Sequence, residues 1–216
     1  MITLEERIQK LEGILDSLSN NIKTDIRVAL PAKVTGFDAS KQTISCVPTI
    51  RELVNINGNI SYKELPELKD VPIVMPRAGN WVITMPVQIG DECMVIFQDL
   101  CMDGWWFRGG IQNWNDLRRH DLSDAIAIFS PWSQPNTISN YNSNSMEARN
   151  LSGNIKMTFK DEGIDIIGDV NIEGSLSVTD VISSDTDVLS NGISGKSHTH
   201  LYNPGPGEAT PTEVPQ

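Results

Sequence analysis

The sequence predicts a mainly β protein, made of an N-terminal helix, a compact barrel and an elongated spike that several identical chains build together. Three observations lead to this fold class. Apolar residues step by four and three along the first 22 residues. Short β-branched runs separated by turn signals fill residues 25–131. Apolar and polar residues then alternate from Ile164 to Ile182, the period of a half-buried strand.

Residues 1–24 are the predicted helix, with a capping box formed by Thr3 and Glu6 at its start. The apolar positions are spaced as the a and d positions of a coiled coil over about three heptads. These positions are Leu4, Ile8, Leu11, Leu15, Leu18 and Ile22. An amphipathic helix packed on its own domain would carry a similar stripe. We therefore expect a docking element and leave its partner open between the two hypotheses.

Residues 25–131 are the predicted barrel. Turn signals such as Asn57-Gly58 and Gly90-Asp91 separate its apolar runs, and no helical periodicity lies between them. The predicted strands are 26–34, 43–50, 60–65, 71–75, 81–85, 93–97 and 126–129. Short strands at this spacing favour a small Greek-key barrel of the oligonucleotide/oligosaccharide-binding type, the OB-fold.

Three polar and aromatic motifs lie in the barrel region. They are Gly90-Asp91, Asp103-Gly104-Trp105-Trp106 and Arg118-Arg119-His120-Asp121-Leu122-Ser123-Asp124. Trp105 and Trp106 could stack on a sugar or a base, although filling a barrel end or a subunit interface is the commoner role. The arginine-rich motif could be a catalytic cluster, although a surface loop with Arg–Asp pairs is commoner. Because the sequence shows no nucleophile–base constellation and no phosphate loop, we expect no enzymatic activity.

In combination, these motifs resemble the N-terminal domain of the central spike proteins of contractile-tail bacteriophages, the membrane-piercing needles of the baseplate. The resemblance covers roughly residues 25–130, and His198-Thr199-His200 matches the needle tip of the same family. It implies a homotrimer whose partners are baseplate hub and tail tube proteins and, transiently, the host outer membrane. It also implies assembly in the host cytoplasm and a final place in the virion, at the distal end of the phage tail.

The rest of the chain is predicted as a polar linker (132–150), a trimeric β-helical spike (151–196) and a tip (197–216). Gly168 and Gly174 fall on the apolar phase of the alternation, where the backbone turns or closely approaches another backbone. One such strand can neither bury its apolar face nor cover its edges. We therefore expect identical chains to intertwine around a shared axis as a β-helix or β-prism. The tail after Leu201 is rich in proline and cannot be helix or central strand.

His198 and His200 are the predicted metal ligands, because residues two apart on an extended strand project from one face. By itself the dyad is a weak signal, and exposed or hydrogen-bonded histidines are commoner. In a trimer, however, six imidazoles would converge on the axis, which favours an octahedral transition metal over tetrahedral zinc. Imidazole binds as the neutral base, so the site should weaken in acid. The resemblance implies one structural iron ion per trimer, which closes the tip.

Composition excludes several classes of protein. The formal net charge of −11 argues against a nucleic-acid binder, whose affinity comes from neutralising phosphates. Cys46, Cys93 and Cys101 have no paired spacing, so we expect buried thiols in a protein made in a reducing compartment. No apolar run approaches the ~18 residues of a membrane span, and no signal peptide is recognisable.

The function favoured by these observations is a structural tail spike that docks on the tail tube and mechanically pierces the host outer membrane during infection. One alternative is a trimeric fibre or adhesin that binds host surface glycan through the barrel or the tip. Another is an iron enzyme in which His198, His200 and a carboxylate, Asp185 or Asp187, form a facial triad. That enzyme would need a pocket, for which a narrow rod has no volume.

Overall fold

The computed structural model describes residues 4–56, 58–130, 132–202 and 210–211. The chain divides into two compact units, Met1–Ser139 and Asn140–Gln216. The division falls inside the segment that was predicted as a linker. The capping box at Thr3 and most of the proline-rich tail lie outside the described residues.

The fold is mainly β, as predicted, with few helices. The elements of unit 1 are α1 (Leu4–Asp25), β1 (Ala29–Asp38), β2 (Thr43–Pro48), β3 (Glu52–Ile56), β4 (Asn59–Lys63), β5 (Leu68–Pro72), β6 (Arg77–Ala78), β7 (Trp81–Val82), β8 (Glu92–Phe97), α2 (Asp103–Arg108), β9 (Ala125–Phe129) and a 3-10 turn (Gln134–Asn136). Those of unit 2 are β10 (Met146–Arg149), β11 (Lys156–Lys160), β12 (Gly163–Ile167), β13 (Leu189–Ser190), β14 (Ile193–Ser194), β15 (Leu201–Tyr202) and β16 (Thr210–Pro211).

Five strands of unit 1 form one barrel-like sheet. Their order is β5-β2-β1-β8-β9, and every neighbouring pair is antiparallel. The two edges of the sheet meet where Ile73 and Ala127 form a parallel bridge. There the N–H of Val74 donates to the carbonyl of Ala127 at 2.8 Å. The sheet therefore curves back on itself, so that its edges are partly covered rather than open.

The core of unit 1 lies inside this curved sheet. It consists of side chains from alternate strand positions: Ala32, Val34, Ile44, Cys46, Leu68, Val71, Cys93, Val95, Phe97, Ala125 and Ala127. Cys46 and Cys93 are therefore buried free thiols, as predicted, whereas Cys101 is only partly buried. At the start of β8 the chain turns at Gly90, which has a φ of +101° that favours glycine.

Among the elements of unit 1 that were not predicted from the sequence are the strand β3 and the helix α2. The strand β3 pairs with β4 across the turn at Gly58, outside the barrel-like sheet, and its side chains are mostly exposed. A strand exposed on both faces shows no apolar alternation, so its sequence gives no period-two signal. The helix α2 has six residues, too few turns for a helical periodicity.

The helix α1 confirms the predicted N-terminal helix, but the described part of its apolar seam is not covered by the rest of the described chain. Residues 10–20 and Ile22 are all exposed. The hypothesis of an amphipathic helix packed on its own domain is therefore wrong for the described part of the seam. None of the described helices is both long enough and apolar enough to cross a membrane.

Unit 2 begins with a three-stranded antiparallel sheet in the order β10-β11-β12. Glu147 on β10 ties the strands together, because its Oε1 accepts hydrogen bonds from Lys156 Nζ at 3.1 Å and Thr158 Oγ1 at 3.3 Å. The predicted linker (132–150) thus contains a strand, β10, which polar composition alone did not indicate.

The predicted strand from Ile164 to Ile182 ends at Ile167 in the structure. Residues 168–188 pair with no other strand in the described part of the chain. A strand needs a neighbour for its backbone hydrogen bonds, and the residues that the structure describes do not supply one here. The apolar side chains of the alternation are all exposed: Ile164, Ile166, Val170, Ile172, Leu176, Val178 and Ile182. This exposure agrees with the expectation that one chain cannot bury the face by itself, and burial by partner chains stays a prediction.

Candidate functional site

A small hairpin, β13–β14, precedes the two predicted metal ligands. Its turn is Asn191-Gly192, with φ of +48° and +80°, the combination required by a two-residue type I′ turn. Asp187 fastens the base of the hairpin, since its Oδ1 accepts the N–H of Val188 at 2.8 Å and of Lys196 at 3.0 Å. Hydrogen bonds from Ser194 and from these backbone groups hold the pKa of Asp187 below its usual value.

His198 is held by the backbone of this hairpin. Its N–H donates to the carbonyl oxygen of Ser194 at 3.1 Å, and its ring Nδ1 lies 2.9 Å from the same oxygen. A carbonyl oxygen can only accept, so Nδ1 carries the proton and Nε2 of the neutral ring keeps its lone pair. Metal-bound histidines commonly use their second nitrogen in this way. This geometry leaves the lone pair of Nε2 able to accept a hydrogen bond or to bind a metal ion.

His200 lies beside His198, as expected for residues two apart. The ring centroids are 5.1 Å apart and the rings stand edge to face at 88°. His198 is half-buried and His200 is exposed. In the described part of the chain no carboxylate or thiol completes a group of three ligands with this pair. Since a transition metal needs more ligands than two, the residues fit such an ion only if other chains add theirs.

A second polar cluster joins α2 to the segment before β9. The Nη2 of Arg118 lies 2.8 Å from Asp103 Oδ2 and 3.0 Å from Cys101 Sγ, and its Nε lies 3.1 Å from Asp124 Oδ2. Asp124 is buried, and its Oδ1 accepts the N–H of Met102 at 3.0 Å. Hydrogen bonds with Asp103 and Asp124 raise the pKa of Arg118.

Cys101, Asp103 and Asp124 are the one group of three potential metal ligands within 4.8 Å of one another among the residues that the structure describes. Arg118 contacts all three, so its guanidinium already supplies the positive charge that a metal would bring. The cluster is therefore an ion-pair network. The predicted Arg–Asp pairs are confirmed, although the burial of Asp124 places them deeper than in a surface loop.

The neighbouring residues of the arginine-rich motif pair with Asp99. The Nη1 of Arg119 lies 3.1 Å from Asp99 Oδ1, and His120 Nε2 lies 3.4 Å from the same oxygen. The guanidinium carbon of Arg119 also lies 5.3 Å from the ring centre of Trp114, within range of a cation–π contact. These contacts order the loop between α2 and β9, which sequence reasoning treated as a simple surface loop.

The two adjacent tryptophans of α2 have different surroundings. Their ring centroids are 6.4 Å apart and the ring planes are tilted by 47°. Trp106 is half-buried and lines a cavity of about 240 Å³ with Met102, Phe107 and Pro72. Trp105 is 54% exposed. One tryptophan thus packs, as the commoner role predicts, and the other presents much of its ring to the surface.

Residues 30–130 match the family described as phage protein Gp138 N-terminal domain. A search of curated proteins found no match. The matched residues span the barrel-like sheet, α2 and the Arg118 network, and they make up just under half of the chain. The barrel-like part of this chain is therefore similar to a phage protein domain, which supports a phage protein with a structural role.

Proposed function

We propose that the protein is the central tail spike of a contractile-tail phage, acting as a homotrimer. Unit 1 docks the trimer on the tail tube at the centre of the baseplate, and unit 2 forms the needle that pierces the host outer membrane. The observation that carries the proposal is the row of exposed apolar residues between Ile164 and Ile182. The match to a phage protein domain supports a role in a phage particle.

The exposed row needs a partner surface that can cover it. Each exposed Val, Leu or Ile would gain about 1–2 kcal/mol on burial. A row with a period of two presents one apolar face, which another extended chain can cover. Identical chains wound around one axis would cover each other's rows and supply the missing backbone hydrogen bonds. Axial load would then spread over many interchain hydrogen bonds, so that no chain could unravel alone.

The histidine pair fits this arrangement at the end of the needle. His198 and His200 of three chains would supply six imidazole nitrogens to one iron ion. The ion would act as a structural crosslink between chain ends, with no coordination position left for a substrate. The facial-triad alternative finds no support in Asp187, whose Oδ1 already holds the hairpin through Val188 and Lys196.

A glycan-binding fibre is the second candidate function. Trp105 on α2 and Trp81 on β7 expose most of their rings, and such rings can stack on sugars. Tight and selective binding on a glycan array, lost in Trp105→Ala, would favour a fibre over a piercing needle.

The test of the spike is the mass and metal content of the purified full-length chain. We expect light scattering to give three chains per particle and metal analysis to give about one iron per three chains. His198→Ala and His200→Ala should each remove the metal and leave the trimer, because the apolar row does not depend on the ion. A monomer after native purification would overturn the proposal.

A further inference from the structure

We propose that α1 binds further copies of itself, forming a parallel, in-register coiled coil of three helices. Its exposed seam thus packs against the same helix of the partner chains and not against a different protein of the tail. The strand number rests on the proposed trimer, whereas the parallel pairing rests on the helix alone.

The seam of α1 is exposed along its described part. Its four members with described side chains are between 53% and 57% exposed: Leu11, Leu15, Leu18 and Ile22. Most helical stability in proteins comes from packing an apolar face, so a helix of 22 residues with an open apolar seam lacks its main source of stability. The described part of its own chain does not supply this packing, so a partner from outside the chain is needed.

The apolar residues of the seam have the spacing of a coiled coil. The steps of four and three place Leu11 and Leu18 at d and Leu15 and Ile22 at a. A seam with this period is self-complementary, since the a and d side chains of one helix fit the holes of an identical helix. Ile14, at position g, is 55% exposed and widens the apolar face. The number of three helices comes from the proposed trimer, because isoleucine at a with leucine at d, as in Ile22, Leu11 and Leu18, is by itself the pattern of two-stranded coiled coils.

Charged residues beside the seam favour one relative direction of the paired helices. The same heptad assigns Arg7 to position g and Glu12 to position e. In a parallel, in-register pair, g of one helix meets e of the next heptad on its neighbour, which brings opposite charges together at these positions. An antiparallel pair would place e beside e and g beside g, and would lose this attraction. The sequence of α1 therefore favours parallel copies.

The experiment uses thiol crosslinking in the full-length protein. Leu15→Cys places a thiol in the seam, whereas Ser17→Cys places the same group at position c, outside it. Both are made in a Cys101→Ser background, where the remaining thiols, Cys46 and Cys93, are buried. After mild oxidation, we expect Leu15→Cys to give covalent dimers on a non-reducing gel and Ser17→Cys to give few.

The yield separates two helices from three. Three thiols on one axis can pair only two at a time, so the covalent dimer should saturate near two thirds of the chains. Complete conversion to covalent dimers would indicate two helices and would overturn the three-copy arrangement. Leu18→Cys, at position d, repeats the test should Leu15→Cys fold poorly.

Light scattering on the same samples keeps this inference separate from the proposed spike. A trimeric mass without crosslinking at Leu15→Cys or Leu18→Cys above the Ser17→Cys level would overturn the coiled coil and leave the spike intact. A monomeric mass without crosslinking would overturn both. A trimeric mass with crosslinking near two thirds supports both.

Discussion

The guanidinium of Arg118 lies against the carboxylate of Asp124, with Nε 3.1 Å from Oδ2, although Asp124 is only 1% exposed. The backbone of Asp124 is engaged too, since its carbonyl accepts the N–H of Gln98 at 2.9 Å. The pair therefore connects the end of β8, the start of α2 and the start of β9. All of these residues lie in the part of the chain that the phage domain match covers.

The first prediction concerns this buried pair. Asp124→Ala should lower the free energy of unfolding by about 3 kcal/mol, because it leaves the Met102 N–H without its acceptor and Arg118 without a buried partner. Asp99→Ala removes the exposed partner of Arg119 and should cost about 0.5 kcal/mol or less. Urea denaturation of both variants at one protein concentration measures the difference. Equal midpoints for the two variants would contradict a stabilising role for the pair.

The second prediction concerns acid. The Oε2 of Glu92 accepts the N–H of Ser133 at 2.6 Å, and its Oε1 accepts from Ser133 Oγ at 2.7 Å and Asn136 Nδ2 at 2.8 Å. These hydrogen bonds lower the pKa of Glu92. A lowered pKa contributes stability that is present above the unfolded value of about 4.3 and is lost as the pH falls through the folded value.

The urea midpoint of the wild-type protein should therefore fall as the pH drops from about 5 towards 3. Glu92→Gln should be less stable at neutral pH and should decline less over this range. Glu173→Gln, an exposed glutamate of unit 2, serves as the control and should follow the wild type. Parallel curves for Glu92→Gln and the wild type would show that Glu92 does not contribute to acid sensitivity.

The third prediction tests the apolar row of unit 2. Ile172→Asp places a charge on the apolar phase, and Asn171→Asp places the same charge one residue away, on the polar phase. If three chains bury the apolar phase, Ile172→Asp should dissociate or prevent the trimer, because an unpaired charge in an apolar interior is costly. Asn171→Asp should keep the wild-type mass in light scattering. Trimers of normal stability in Ile172→Asp would mean that this phase faces solvent in the assembly.

The fourth prediction concerns the hairpin before the histidines. Asp187→Ala removes the acceptor of the Val188 and Lys196 N–H groups, whereas Asp187→Asn keeps one acceptor oxygen. Loosening this base should misplace the Ser194 carbonyl that orients His198. We expect iron affinity to fall about 10-fold in Asp187→Ala and less in Asp187→Asn, at unchanged mass. Metal analysis after dialysis against graded chelator measures the iron that each variant retains. Iron retention equal to that of the wild type in both variants would rule out a positioning role for Asp187.

Local patterns in the sequence determined much of the secondary structure. The apolar runs predicted the strands of the barrel-like sheet, and the spacing from Leu4 to Ile22 predicted α1. Turn chemistry at Asn57-Gly58 and Gly90-Asp91 marked two chain reversals. These predictions succeed because strand alternation, helical spacing and turn preferences act between residues a few positions apart.

Only the tertiary structure decided which distant residues meet and which apolar faces stay open. The bridge between Ile73 and Ala127 and the contacts of Arg118 with Cys101 and Asp103 join residues far apart in sequence. The exposure of α1 and the end of β12 at Ile167 likewise depend on what surrounds each segment. A sequence pattern specifies a face that can be buried, but burial and strand pairing need a partner surface. For these two segments the described part of the chain does not contain one.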